Sequence, residues 1–97
     1  MTTTEPGGAD DLVRRRKRLK YRSWHRGTKE MDLLLGPFAD SCLDGFGARE
    51  LGEYEALLEQ PEPDVYEWIL GRSAPPAEAR SAVLDRIIAY YQQPHAR

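Results

Sequence analysis

The chain has 97 residues, 40% hydrophobic and 31% charged, with a formal net charge of −2. A chain of this length makes one small domain that buries somewhat over ~60% of its unfolded surface, which leaves little room for a deep enzyme cleft. No apolar run approaches the ~20 residues needed to cross a bilayer, and the single cysteine, Cys42, excludes an internal disulfide and any multi-cysteine metal site.

Residues 1–11 contain Glu5, Asp10 and Asp11 but no basic residue and no apolar block. That resembles neither a secretory signal nor a basic transit peptide, so the segment reads as a flexible tail and the cytoplasm as the default location. Residues 12–29 then carry nine of the chain's 14 basic residues and no acid, whereas residues 30–67 carry eleven acids against Arg49 alone. The charge is therefore sharply segregated.

A first helix is predicted over residues 12–25, weakly amphipathic, with Leu19, Tyr21 and Trp24 as its later large apolar groups. Residues 14–18, Arg-Arg-Arg-Lys-Arg, would fall in its first turns, where the helix macrodipole disfavours cations. Either the helix starts later, or these charges meet an anionic partner.

Met31, Leu34, Leu35, Phe38 and Cys42 share one face of a 3.6-residue period and predict a second helix, with Cys42 a small core residue. Gly36-Pro37 lies inside that stripe and predicts a kink or break, because proline lacks the N–H and crowds the carbonyl of Leu33. Gly45-Phe46-Gly47 reads as a flexible connection.

Leu51, Tyr54, Leu57 and Leu58 form a third stripe ending before Gln60-Pro61, and Val65, Trp68 and Ile69 a fourth ending at Gly71. Pro63 and Pro76 suit first helical positions, and Gly71 suits a C-terminal cap. Val83, Leu84, Ile87, Ile88 and Tyr91 predict a last helix, and residues 93–97 a frayed end. No alternating strand pattern competes, so the class is all-α, with a helical domain over residues 12–92.

Between the first two helices, Arg26-Gly27-Thr28-Lys29-Glu30 puts a donor fork, a permissive backbone and a carboxylate at one bend. Punctuation alone accounts for the glycine, which can end the first helix, and for Glu30, which can cap or favour the start of the second. It does not account for Arg26, nor for the nearby Tyr21, Arg22, Trp24 and His25, residue types enriched at interfaces. Arg26, Gly27 and Glu30, widened by those four residues, are the candidate partner-binding surface.

Catalysis is not supported. His25 has no second histidine nearby, His95 lies in the expected tail, and Cys42 has no ligand set. No phosphate loop, dinucleotide fingerprint or nucleophile motif is present. The basic segment leaves open a small nucleic-acid-binding or regulatory protein, although zinc-finger, RNP and leucine-zipper patterns are lacking.

Taken together, Arg26-Gly27-x-x-Glu30, Asp32-Leu33-Leu34-Leu35-Gly36, Tyr54-Glu55-x-Leu57-Leu58, Pro61-x-Pro63-Asp64 and Trp68-x-x-Gly71 resemble the succinate dehydrogenase flavinylation factor family, over about residues 19–88. The resemblance implies a small five-helix bundle, monomeric when free, that is not an enzyme. It would assist covalent attachment of FAD to a histidine of the flavoprotein subunit of succinate dehydrogenase, and in bacteria often of fumarate reductase. It would hold no cofactor stably, and Arg26, Gly27 and Glu30 would meet that client near its flavin.

Overall fold

The computed structural model describes residues 9–92; of the flexible tail expected over residues 1–11, residues 1–8 lie outside the described residues, as does the end expected at 93–97, whereas residues 9–11 are helical. Five α-helices follow one another: α1 (Ala9–Trp24), α2 (Lys29–Cys42), α3 (Ala48–Leu58), α4 (Glu62–Leu70) and α5 (Ala82–Gln92). Single 3-10 turns stand at Leu43–Gly45 and Ala77–Ala79. No strand occurs among the described residues, as the apolar periodicities predict. The chain divides into two compact units, one ending at Leu51 and the other beginning at Gly52, a finer division than its length suggests.

The first unit is built on α1 and α2, which run antiparallel. Trp24 meets Gly36 and Asp40, Lys20 meets Asp44, and Arg16 meets Phe46, so descending positions on one helix face ascending positions beyond the other. Leu19, Met31, Leu35, Phe38, Ala39, Leu43, Phe46 and Leu51 are buried. From α1 only Leu19 joins them as a large side chain; Tyr21 and Val13 stay on the surface. Ser23, fully buried, satisfies its hydroxyl by donating to the carbonyl of Leu19 at 2.7 Å.

Three expectations change here. Helix α1 begins at Ala9, ahead of the expected residue 12, so Asp10 and Asp11 occupy the first turn where the macrodipole favours anions. The cations of residues 14–18 consequently lie beyond that turn, and neither branch of the earlier dilemma is required to accommodate them.

Helix α2 runs unbroken through Gly36 and Pro37. Proline forfeits the bond to the Leu33 carbonyl, but Leu33 is 56% exposed, so water can reach that turn, while burial of Leu35, Phe38 and Ala39 holds the helix on its other side.

The segment Gly45-Phe46-Gly47 is not a loose connection. Phe46 is fully buried, edge-on to Phe38 at 6.1 Å, and its carbonyl accepts two bonds from the Arg16 guanidinium at 2.8 and 3.2 Å. A large aromatic between two glycines is pulled into the core by its apolar area, and the arginine satisfies the backbone acceptor that follows it in.

The second unit buries Tyr54, Leu57, Leu58, Val65, Trp68, Ile69, Val83, Leu84 and Ile87, most of the apolar faces expected of the last three helices, while Ile88 and Tyr91 are only half-buried. Gly71 caps α4 in the left-handed conformation (φ 78°), its N–H reaching the carbonyls of Glu67 and Trp68. Pro63 is the second residue of α4 rather than the first, because the helix already begins at Glu62 after Pro61 as N-cap. Pro76 instead precedes the 3-10 turn Ala77–Ala79, because α5 starts only at Ala82. There Ser81 Oγ accepts from the N–H of Leu84 (3.0 Å), and Glu53 accepts from the N–H of Val83 (3.2 Å), satisfying two orphan donors. Cys42, at the end of α2, is half-buried rather than a full core residue.

Candidate functional site

The bend between α1 and α2 is assembled from both helix ends. Helix α1 stops at Trp24, and the N–H of His25 closes its last turn on the carbonyl of Arg22 at 3.1 Å. The His25 ring stacks on Tyr21 with centroids 4.0 Å apart, and its Nδ1 lies 2.7 Å from the Tyr21 carbonyl. A carbonyl only accepts, so that nitrogen carries the proton of the bond.

Two residues later the backbone turns at Gly27 with φ 144°. That region is closed to side chains with a Cβ, so the glycine has a local conformational reason to be there. Thr28, not Glu30, is the N-cap of α2: its hydroxyl accepts from the N–H of Met31 at 3.3 Å and its carbonyl from the N–H of Asp32 at 3.1 Å. Thr28 immediately ahead of the apolar stripe was the signal in the sequence for this cap. Glu30 is left in the first turn, exposed, where the macrodipole favours its charge.

Asp32, which carries no role in the sequence reading, ties the bend together. Its carboxylate accepts from the backbone N–H of Arg26 at 2.7 Å, across six residues. A charged acceptor on a backbone donor is among the stronger hydrogen bonds, and it fixes where the Arg26-Gly27 peptide lies.

Trp24 has two jobs in the chain. Its indole covers Gly36, and its Nε1–H donates to Asp40 at 3.2 Å, yet it remains 36% exposed. Leu33, one turn ahead of Gly36, is also exposed and was not foreseen as a surface residue.

Of the seven residues expected to meet a partner, Tyr21, Trp24, His25, Gly27 and Glu30 are exposed, and Arg22 and Arg26 are half-buried. The arrangement offers a carboxylate, an aromatic stack, an indole edge and an exposed leucine around a fixed backbone turn. No group of His, Cys, Asp or Glu able to hold a metal ion occurs among the described residues. No helix among the described residues is long and apolar enough to cross a membrane.

Comparison with known proteins covers most of the chain. A family model described as the flavinator of succinate dehydrogenase matches residues 17–91. A protein of Acetobacter pasteurianus named FAD assembly factor SdhE is 42% identical over 79 residues, covering 81% of this chain and 72% of that protein. The FAD assembly factor SdhE of Photobacterium profundum is 33% identical over 77% of this chain and 84% of its own length. A mitochondrial succinate dehydrogenase assembly factor 2 of Dictyostelium discoideum is 40% identical over 76% of this chain, which spans 52% of that longer protein. No solved structure matches the chain.

Proposed function

This chain belongs to the family of flavinators of succinate dehydrogenase, and we propose that it is a cytoplasmic assembly factor that docks on the flavoprotein subunit of succinate dehydrogenase and promotes covalent attachment of FAD to a client histidine. Fumarate reductase is a second client of the same kind. The protein is a monomer when free, acts on FAD held by its partner, and is not itself the enzyme. The names of its relatives support the flavinylation role; the nucleic-acid alternative has no such support.

The observation that carries the docking role is an exposed Glu30 and an exposed Gly27 on a backbone turn held by Asp32. A preorganised bend loses little freedom on binding, so more of the contact free energy is available for the partner. By binding one arrangement of the client preferentially, the factor would hold flavin and histidine close and aligned, which lowers the barrier to bond formation. Glu30 takes a client cation or amide, Arg26 takes a client acceptor, and Gly27 keeps the approach open. Tyr21, Arg22, Trp24 and His25 widen the contact.

The test is to produce the flavoprotein subunit with the wild-type factor, with Glu30→Ala or with Arg26→Ala, and to read covalent flavin by in-gel fluorescence. Loss of fluorescence with Glu30→Ala, at unchanged helicity, is expected. Undiminished labelling by both variants, in cells where labelling depends on the factor, would overturn the proposed docking surface.

A further inference from the structure

The basic run of the first helix is split by the fold into two sets. Arg16 and Lys20 turn toward the chain, Arg16 to the Phe46 carbonyl and Lys20 to Asp44 at 2.9 Å. Arg14, Lys17 and Arg18 stand exposed. Val13, Lys17, Tyr21 and His25 are exposed at four-residue intervals, which places them in one row on α1, with Arg14 and Arg18 spaced likewise beside it. That row leads directly into the Arg26-Gly27 bend.

We propose that Arg14, Lys17 and Arg18 form a second client contact, a cationic ridge that receives an acidic patch on the flavoprotein and steers it onto the bend. This rests on the client reading above and extends it to the start of the family match at residues 17–91, with Arg14 ahead of it and Lys17 and Arg18 at its first positions. An interleaved valine, tyrosine and histidine make the row a mixed apolar and cationic surface of the kind that protein interfaces use.

A nucleic acid fits less well. Three exposed cations spread over only ~6 Å of helix axis, and exposed acids flank them at Asp10 on the same helix and at Glu30 past the bend. A duplex with one charge per ~1.7 Å would meet repulsion on both sides, whereas a localised acidic patch would not.

Charge steering acts mainly on association and is screened by salt. The experiment therefore compares the full-length protein with the triple variant Arg14→Glu, Lys17→Glu, Arg18→Glu in binding kinetics to the isolated flavoprotein subunit, at low and at high salt. Glutamate matches arginine and lysine in helix propensity, and equal helicity by circular dichroism verifies the fold. The glutamine triple variant serves as the neutral control. At low salt the glutamate variant is expected to associate about tenfold or more slowly, the glutamine variant to fall between, and the differences to vanish at high salt with dissociation nearly unchanged.

Equally fast association of wild type and glutamate variant at low salt overturns the ridge alone. Absence of wild-type binding overturns the client reading beneath it. Single-stranded RNA that binds the wild type at physiological salt and blocks the client would reassign the ridge to nucleic acid and overturn the inference.

Discussion

The indole of Trp24 occupies the space that a side chain at Gly36 would need: a Cβ built there lies 2.6 Å from Cε3 and closer still to Cδ2 and Cε2. The end of α1 thereby sits directly against the backbone of α2, and the indole N–H anchors on Asp40 one turn further on. Gly36 serves close approach here, which explains a glycine inside a helix despite its cost of ~1 kcal/mol relative to alanine. Gly36→Ala should therefore destabilise the protein by ~1–3 kcal/mol through overpacking, despite alanine's better propensity. Urea unfolding measures this, and a stability equal to or above wild type would show that the indole is not seated there. Against a Trp24→Ala background the same substitution should cost much less, giving a non-zero coupling.

Asp32 should act on the bend without touching a client. Asp32→Ala removes the acceptor of the Arg26 N–H and should cost ~1–2 kcal/mol, with faster hydrogen exchange at the Arg26 amide. Asp32→Asn keeps an acceptor oxygen and should recover most of the protection. Unchanged exchange in the alanine variant would contradict the bond.

The two faces of the basic run make opposite predictions. Arg16→Ala strips two donors from the carbonyl of buried Phe46 and should lower stability by ~1–3 kcal/mol. Exposed Arg14→Ala should stay within ~0.5 kcal/mol of wild type. Parallel thermal and urea denaturation separates them; similar values for both would mean that Arg16 does not hold the turn.

Gly27 and Glu30 differ in the same diagnostic way. With φ at 144°, Gly27→Ala should cost ~1–3 kcal/mol in backbone strain, so a loss of flavinylation in any Gly27 variant mixes folding with docking. Glu30→Ala should leave stability within ~0.5 kcal/mol. Equal stability of wild type and Gly27→Ala would show that the bend relaxes without cost, and would make Gly27 variants a clean probe of contact after all.

The positions of the helices were legible because burial follows period. The stripes at Leu51, Tyr54, Leu57 and Leu58, and at Val65, Trp68 and Ile69, are buried as predicted, and Gly71 caps as predicted. Helix ends were less so: Ala9 and Ala82 begin helices through neighbouring acids and a Ser81 cap, weak local signals that a stripe of large apolar residues does not register. At the bend, the Arg26-Gly27-Thr28-Lys29-Glu30 segment stood out in the sequence, but the bonds made by Asp32 and Asp40 did not, since nothing along the chain tells a surface carboxylate from one that holds a backbone or an indole.

From the amino-acid order alone come the all-α class, the apolar faces, the charge segregation and the resemblance that points to flavinylation, because these depend on spacing within a helix or on runs of neighbouring residues. Only the tertiary structure decided that Trp24 lies on Gly36, that Phe46 is buried with Arg16 on its carbonyl, and that the basic run divides into an inward and an outward set. Those outcomes depend on which side of α1 meets α2 and its following turn, a matter of packing between segments distant in sequence, where the adjacent cations Arg16 and Lys17 end up with opposite surroundings.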